Sequence, residues 1–181
     1  MAVLKLHPAS KQVERDRQTF LGLLGECVSL WAFLDRELFN LTQAALGVDH
    51  TRAAIVFYSW ANIANHLILV DRLMKHRLAA KDFQAEWKPL SKSIRLHLDT
   101  RSVYAHQPIK RTGSSENNRA SYAYSVHIEP AERLLAREYH GLGGKSELSA
   151  KDLRKHAYSL EKLVRQVWEF HTAFKGIQPS A

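Results

Sequence analysis

"AAIVFYSWANIANHLILV", residues 53–70, is the most apolar run of the chain and decides how the whole is read. Its length approaches the roughly 20 residues that a membrane-spanning helix needs. Asn62, Asn65 and His66 stand near its middle, however, and each is costly in hydrocarbon. The run is therefore read as a buried helix of a water-soluble bundle. Val56, Trp60, Ile63, Leu67, Val70 and Met74 make one stripe, and Ile55, Asn62, His66, Leu69 and Leu73 a second beside it. A helix apolar on two sides packs on two sides. This reading predicts one helix over about 51–78, with Asp49 as its cap.

The flanking segments fit such a partner. From 11 to 46, Phe20, Leu24, Cys27, Trp31, Leu34, Leu38, Leu41 and Ala45 recur at steps of four and three. That is the seam of a long helix packed lengthwise, with Ser10 as N-cap and Gly47 as stop. A third helix is expected from 83 or 87 to 106, with Trp87, Leu90, Ile94, Leu98 and Ala105 on one face, ended by Pro108. A last helix begins near Ser149, with Asp152 in its first turn and a seam of Leu153, Ala157, Leu160, Val164, Val167, His171 and Phe174. Residues 107–148 differ. "RTGSSENNR" (111–119) is turn-rich, and "YAYSVHI" (122–128) alternates like a strand that pairs with 108–111. "PAERLLAREY" (130–139) reads as a short helix, and "HGLGGKSE" (140–147) as a loop.

The chain thus reads as a single all-α domain over 1–181. It is an up-down four-helix bundle-like fold, with a hairpin or irregular insertion at 107–148 between the third and fourth long helices. Residues 1–10 and 176–181 are expected to fray. At 181 residues the chain is long enough for a real core. The single cysteine, Cys27, excludes an internal disulfide framework and fits a reducing cytoplasm. The start, "MAVLKLHPASKQ", carries no export pattern. A net charge of +8 favours acidic partners, nucleic acid before anionic membrane.

Two apparent motifs fail on spacing. "GLGGKS" (141–146) lacks the first glycine of a phosphate loop, whose place is taken by Tyr139. The ten histidines are scattered, with no H-E-x-x-H and no second cysteine, so neither a metal nor another cofactor is expected. His66 and His171 read as core histidines, and Cys27 as a small buried hydrophobe.

One arrangement survives. In "DTRSVYAHQP" (99–108), Arg101 falls on the apolar face of the third helix and His106 closes its last turn. Arg101 is either one half of a buried ion pair, with Asp35, Glu37 or Asp71, or a sign that the face opens on a site or a second subunit. His106 either serves the helix dipole or moves protons. The surroundings are basic: Lys88, Lys92, Arg95, Arg101, Lys110 and Arg111 face Asp99 alone between 87 and 111.

Arg-x4-His near the end of the third helix of a four-helix domain resembles the HEPN superfamily (higher eukaryotes and prokaryotes nucleotide-binding). The resemblance runs through the two long helices, Trp87, Ile94, Leu98, Arg101 and His106, and the closing helix from "LSAKDL". It implies a compact helical bundle. It also implies a metal-independent endoribonuclease of a toxin–antitoxin or phage-defence system, or an inactive relative that serves as a dimerisation or binding module. The residue after the arginine is often Asn, Asp or His in that family and is Ser102 here. A tyrosine that antitoxins modify in some toxin members is replaced by Pro108.

The residue types suit that chemistry. Metal-free RNA cleavage needs a base for the ribose 2′-OH, an acid for the leaving 5′-oxygen and a cation for the phosphate. Arg101 would hold the phosphate and His106 move protons. Ser102, Arg95, Lys110 and Arg111 would bind substrate, while Tyr104, Tyr122 and Tyr124 are candidates for base stacking or core packing. Five helical residues turn through about 140°, which aims Arg101 and His106 apart. A homodimer through the motif-bearing helix, which the resemblance implies, would bring both pairs into one cleft. The expected partners are RNA, a second copy and a cognate antitoxin or regulatory protein, in the cytoplasm, with no membrane.

Overall fold

The computed structural model describes residues 11–76, 81–106, 109–115, 122–128 and 148–176. Within those ranges the side chains of 12, 13, 81, 82, 106, 110–115 and 122–128 lie outside the description. The expected frayed ends, the 130–139 helix and the glycine-rich 140–147 loop also lie outside it, apart from Gly176. The described chain is predominantly helical. Helix α1 spans Lys11–Leu46, α2 His50–Tyr58, α3 Ile63–His76 and α4 Lys81–His106. Strands β1 (Ile109–Ser115), β2 (Tyr122–Ile128) and β3 (Leu148–Ser149) follow, and α5 covers Ala150–Gly176. None of the described helices is long and apolar enough to cross a membrane.

The seam of α1 is buried as the spacing predicts, from Phe20 through Cys27, Trp31, Leu34, Leu38 and Leu41 to Ala45, with Leu24 half-buried. Gly47 stops the helix: its φ of 66° is open to glycine without a Cβ clash. Its amide donates to the Gln43 carbonyl at 3.0 Å. Ser149 and Asp152 form a reciprocal cap on α5. The Asp152 amide donates to Ser149 Oγ at 3.3 Å, and the Ser149 amide to Asp152 Oδ2 at 3.1 Å. A hairpin is present but longer than expected: β1 continues through residues 112–115, part of the stretch read as turn, with Ile109 opposite Ile128 and Ser115 opposite Tyr122, and β3 adds a short third strand against β2.

The apolar run that sets the fold is not one helix. It breaks at residues 59–62 into α2 and α3. The break is made by polar side chains competing with the helical ladder. Ser59 Oγ donates back to the Val56 carbonyl at 2.8 Å. Asn62 caps α3, its Oδ1 accepting the Asn65 amide at 3.0 Å. Four positions expected in the stripes, Ile55, Val56, Trp60 and Asn62, are consequently exposed.

The break also changes helix direction. Phe83 packs on Phe174 at 5.4 Å and Tyr104 on His156 at 5.7 Å, so α4 and α5 are antiparallel. Asp71 meets Ser91 and Met74 meets Gln84, so α3 and α4 are antiparallel too. Cys27 meets Leu153 and Glu37 meets His171, which makes α1 and α5 parallel. Helices α1 and α3 therefore run the same way, and the alternation expected of an up-down bundle does not hold between them. The nine-residue α2 makes the return instead. Each fully buried Phe or Leu of the shared core stabilises the fold by about 1.5–3 kcal/mol relative to exposure.

Candidate functional site

Arg101 lies on α4, one turn and a half before the helix ends at His106. The side chain is half-buried, and its guanidinium carbon stands 5.8 Å from the centre of the Trp31 ring on α1. A cation over an indole face is attracted by the ring quadrupole. Stacking on a buried ring also limits the rotamers of the arginine. Trp31 reads from sequence as a core seam residue, which it is, but its second role as a platform for Arg101 depends on the register between α1 and α4.

The arginine opens on a cleft of about 390 Å³. Tyr104 and Ala105 continue its α4 wall, Val28, Ala32 and Asp35 form the α1 wall, and Asn62 and His66 come from the start of α3. None of the three acids considered as partners for Arg101 pairs with it. Asp35 Oδ1 is 2.7 Å from His66 Nδ1. Glu37 lies 3.2 Å from His171 Nδ1 and 3.7 Å from Arg36. Asp71 accepts from Trp87 Nε1 and Ser91 Oγ, each at 2.8 Å, and pairs with Arg95. Among the described residues no carboxylate comes within 4.0 Å of the Arg101 guanidinium nitrogens. The ion-pair reading of Arg101 does not hold with these acids.

His66 is a satisfied core histidine, as its place in the apolar run suggests. Its ring stacks on Phe57 at 3.8 Å. Nδ1 faces Asp35, and Nε2 faces the Trp60 carbonyl at 3.0 Å. A ring with hydrogen on both nitrogens donates to both acceptors, and a neutral ring to one. This contact ties the chain break at 59–62 to α1 and so shapes the cleft wall. Nothing in the spacing of Asp35 and His66 announces it.

Tyr104 joins the cleft to buried polar groups of the core. Tyr104 is buried, and burial, with Cys27 second, pushes its phenol well above the ordinary range; Arg101 and Trp31 oppose this in part. Its hydroxyl and the Trp31 indole nitrogen are both buried without an aligned partner among the described residues. Of the three tyrosines considered for base stacking, Tyr104 therefore packs in the core, and the side chains of Tyr122 and Tyr124 lie outside the description. Cys27 donates weakly to the Leu153 carbonyl at 3.7 Å, and burial raises its thiol to about 11, the behaviour of a buried hydrophobe rather than a nucleophile. His97 and His156 face each other, Nδ1 to Nδ1, at 3.3 Å. Burial lowers both, and the neighbouring His97 helps take His156 to about 3. Among the described residues no three His, Cys, Asp or Glu side chains gather as metal ligands.

The remaining sequence candidates are dispersed. Ser102 is half-buried beside Arg101. Arg95 is absent from the Arg101 cleft and lines a second groove between α3 and α4. The side chains of His106, Lys110 and Arg111 lie outside the description. The backbone places His106 at the end of α4 and the other two on β1, opposite His127 and Val126. No family model, curated protein or solved structure matches the chain.

Proposed function

We propose that the protein is a metal-independent endoribonuclease of the HEPN type, acting in the cytoplasm as a toxin or phage-defence effector. The observation that carries this reading is Arg101. It is a half-buried guanidinium on an open cleft, held against an indole face, with no carboxylate pair among the described residues. A half-buried charge without a carboxylate among the described residues offers its fork to an anion, and an RNA phosphate would meet it. The ring of packing from α1 to α3, α4, α5 and back to α1 suits a four-helix HEPN-like domain. In the reaction, a base takes the 2′-OH proton and the 2′-oxygen attacks the adjacent phosphorus. The P–O5′ bond breaks, and an acid protonates the leaving oxygen, giving a 2′,3′-cyclic phosphate and a 5′-hydroxyl. Arg101 binds the phosphate as charge builds. His106 supplies the proton transfers, one from each protomer of a homodimer joined through α4. Ser102 orients His106 or the substrate, and Lys110 and Arg111 hold the backbone. An antitoxin or regulatory protein would be the natural partner of such an enzyme.

The test is incubation of the protein with mixed RNA in EDTA, beside an Arg101→Ala, His106→Ala double variant. Cleavage by the wild type alone, with cyclic-phosphate ends, supports the assignment. Equal cleavage by both refutes these residues.

A second reading is a non-catalytic dimerisation or binding module for a partner protein or nucleic acid. Exposed apolar side chains at the chain break favour it: Ile55 is 69 % exposed, Tyr58 63 % and Trp60 41 %. A stable dimer or partner complex with no RNA turnover would establish that reading in place of the first.

A further inference from the structure

We infer that the groove between α3 and α4 is a binding track for the backbone of single-stranded RNA, separate from the Arg101 cleft and leading towards it. The choice of RNA over other polyanions rests on the function proposed above; the cationic character of the groove does not. The groove encloses about 500 Å³, and Lys75 of α3 and Lys88, Lys92 and Arg95 of α4 line it. Asp71 is the one carboxylate among its described lining residues. That acid is already committed, accepting from Trp87 Nε1 and Ser91 Oγ and pairing with Arg95. It therefore fixes Arg95 in the groove and leaves the lysines uncompensated. Among the described residues none of Lys75, Lys88 and Lys92 has a carboxylate within salt-bridge reach.

Spacing gives the track its direction. Lys88, Lys92 and Arg95 follow at steps of four and three, which puts them on one face of α4. Seven residues beyond Arg95 the same stripe reaches Ser102, beside Arg101. The run from Lys88 to Ser102 covers about 21 Å of helix at 1.5 Å per residue. A recess between two helices admits a strand more readily than a duplex. Cations ranged along a groove follow a backbone without reading its sequence.

The experiment measures binding apart from cleavage. A fluorescein-labelled, 2′-O-methylated oligouridine lacks the attacking hydroxyl and cannot be cut by 2′-oxygen attack. Its affinity for the full chain is measured by anisotropy across a salt series. The Lys75→Gln, Lys88→Gln, Lys92→Gln variant is compared with wild type and with a charge-matched Lys151→Gln, Lys155→Gln, Lys162→Gln control on α5. Thermal unfolding checks that both variants are folded. We expect the groove variant to lose about tenfold or more in affinity. Its salt slope should fall by about 0.7 for each phosphate contact removed, and the control should stay near wild type. Absence of binding by the wild type overturns the inference, as does an equal loss in groove and control variants. Binding that depends on the groove, without cleavage of unmodified RNA, would sustain the track while refuting the ribonuclease reading.

Discussion

Acidification should unfold this protein through its core, and His156 sets much of the cost. The ring is 8 % exposed, and its Nε2 is buried with no partner among the described residues. Burial, and His97 at 3.3 Å, hold it at about 3 against an ordinary 6.5. The unfolded chain takes up the proton first, so stability is lost as pH falls below 6.5, and the loss levels off only below about 3. Each pH unit in that window is worth 1.36 kcal/mol. Between neutral-to-basic pH and about pH 5, His156 should therefore cost about 2 kcal/mol. His97 and His171 are also lowered by burial and add to the wild-type loss. They remain in a His156→Phe variant, so comparing wild type with variant at both pH values isolates His156. Urea unfolding followed by tryptophan fluorescence gives the four stabilities. His156→Leu repeats the test with a smaller side chain, in case phenylalanine overpacks against Tyr104. Both variants should show about 2 kcal/mol less acid sensitivity than wild type. An acid sensitivity unchanged in both would refute the argument, because then the folded chain protonates His156 as readily as the unfolded one.

Other consequences are simpler to test. Asn62→Ala removes the side-chain acceptor at the start of α3 and should cost about 1 kcal/mol, read as a fall in melting temperature. Arg101→Lys keeps the charge but loses the planar fork and its stacking on Trp31. RNA cleavage should fall about 100-fold or more, and a wild-type rate would show that charge alone suffices. Asp35→Asn takes the charged acceptor from buried His66 and should destabilise by about 1.5–3 kcal/mol in denaturant titration. Cys27 should resist a thiol-specific disulfide reagent in the native protein and react once urea unfolds it; rapid native labelling would contradict its burial.

The seams of α1 and α5 are legible in the sequence because their apolar residues repeat over many turns. The cap at Ser149 and the stop at Gly47 are legible because few residue types suit those positions, and β2 is legible by its alternation, whereas the polar end of β1 reads as turn. The break at 59–62 is hidden because its polar side chains stand inside an unbroken apolar pattern, and periodicity cannot see a cap that interrupts it. The direction of α3 is hidden with it. At the site, the prominence of Arg101 comes from its place on an apolar face. Its lack of an acid partner among the described residues does not, since the sequence leaves Asp35, Glu37 and Asp71 all available. What removed them was tertiary pairing: His66 lies 31 residues from Asp35, and Trp87 and Ser91 lie 16 and 20 from Asp71. Sequence proximity groups Arg95 with Arg101, whereas the helix turns it into a different groove.

Helix α1 packs more extensively on α5 than on any other element, although more than 100 residues separate Leu46 from Ala150. The entropy of closing so long a loop must be met before that contact stabilises anything, which slows folding. During synthesis, the side of α1 that carries Cys27, whose partner is Leu153, waits uncovered until α5 has left the ribosome. A growing chain thus exposes apolar surface that favours aggregation.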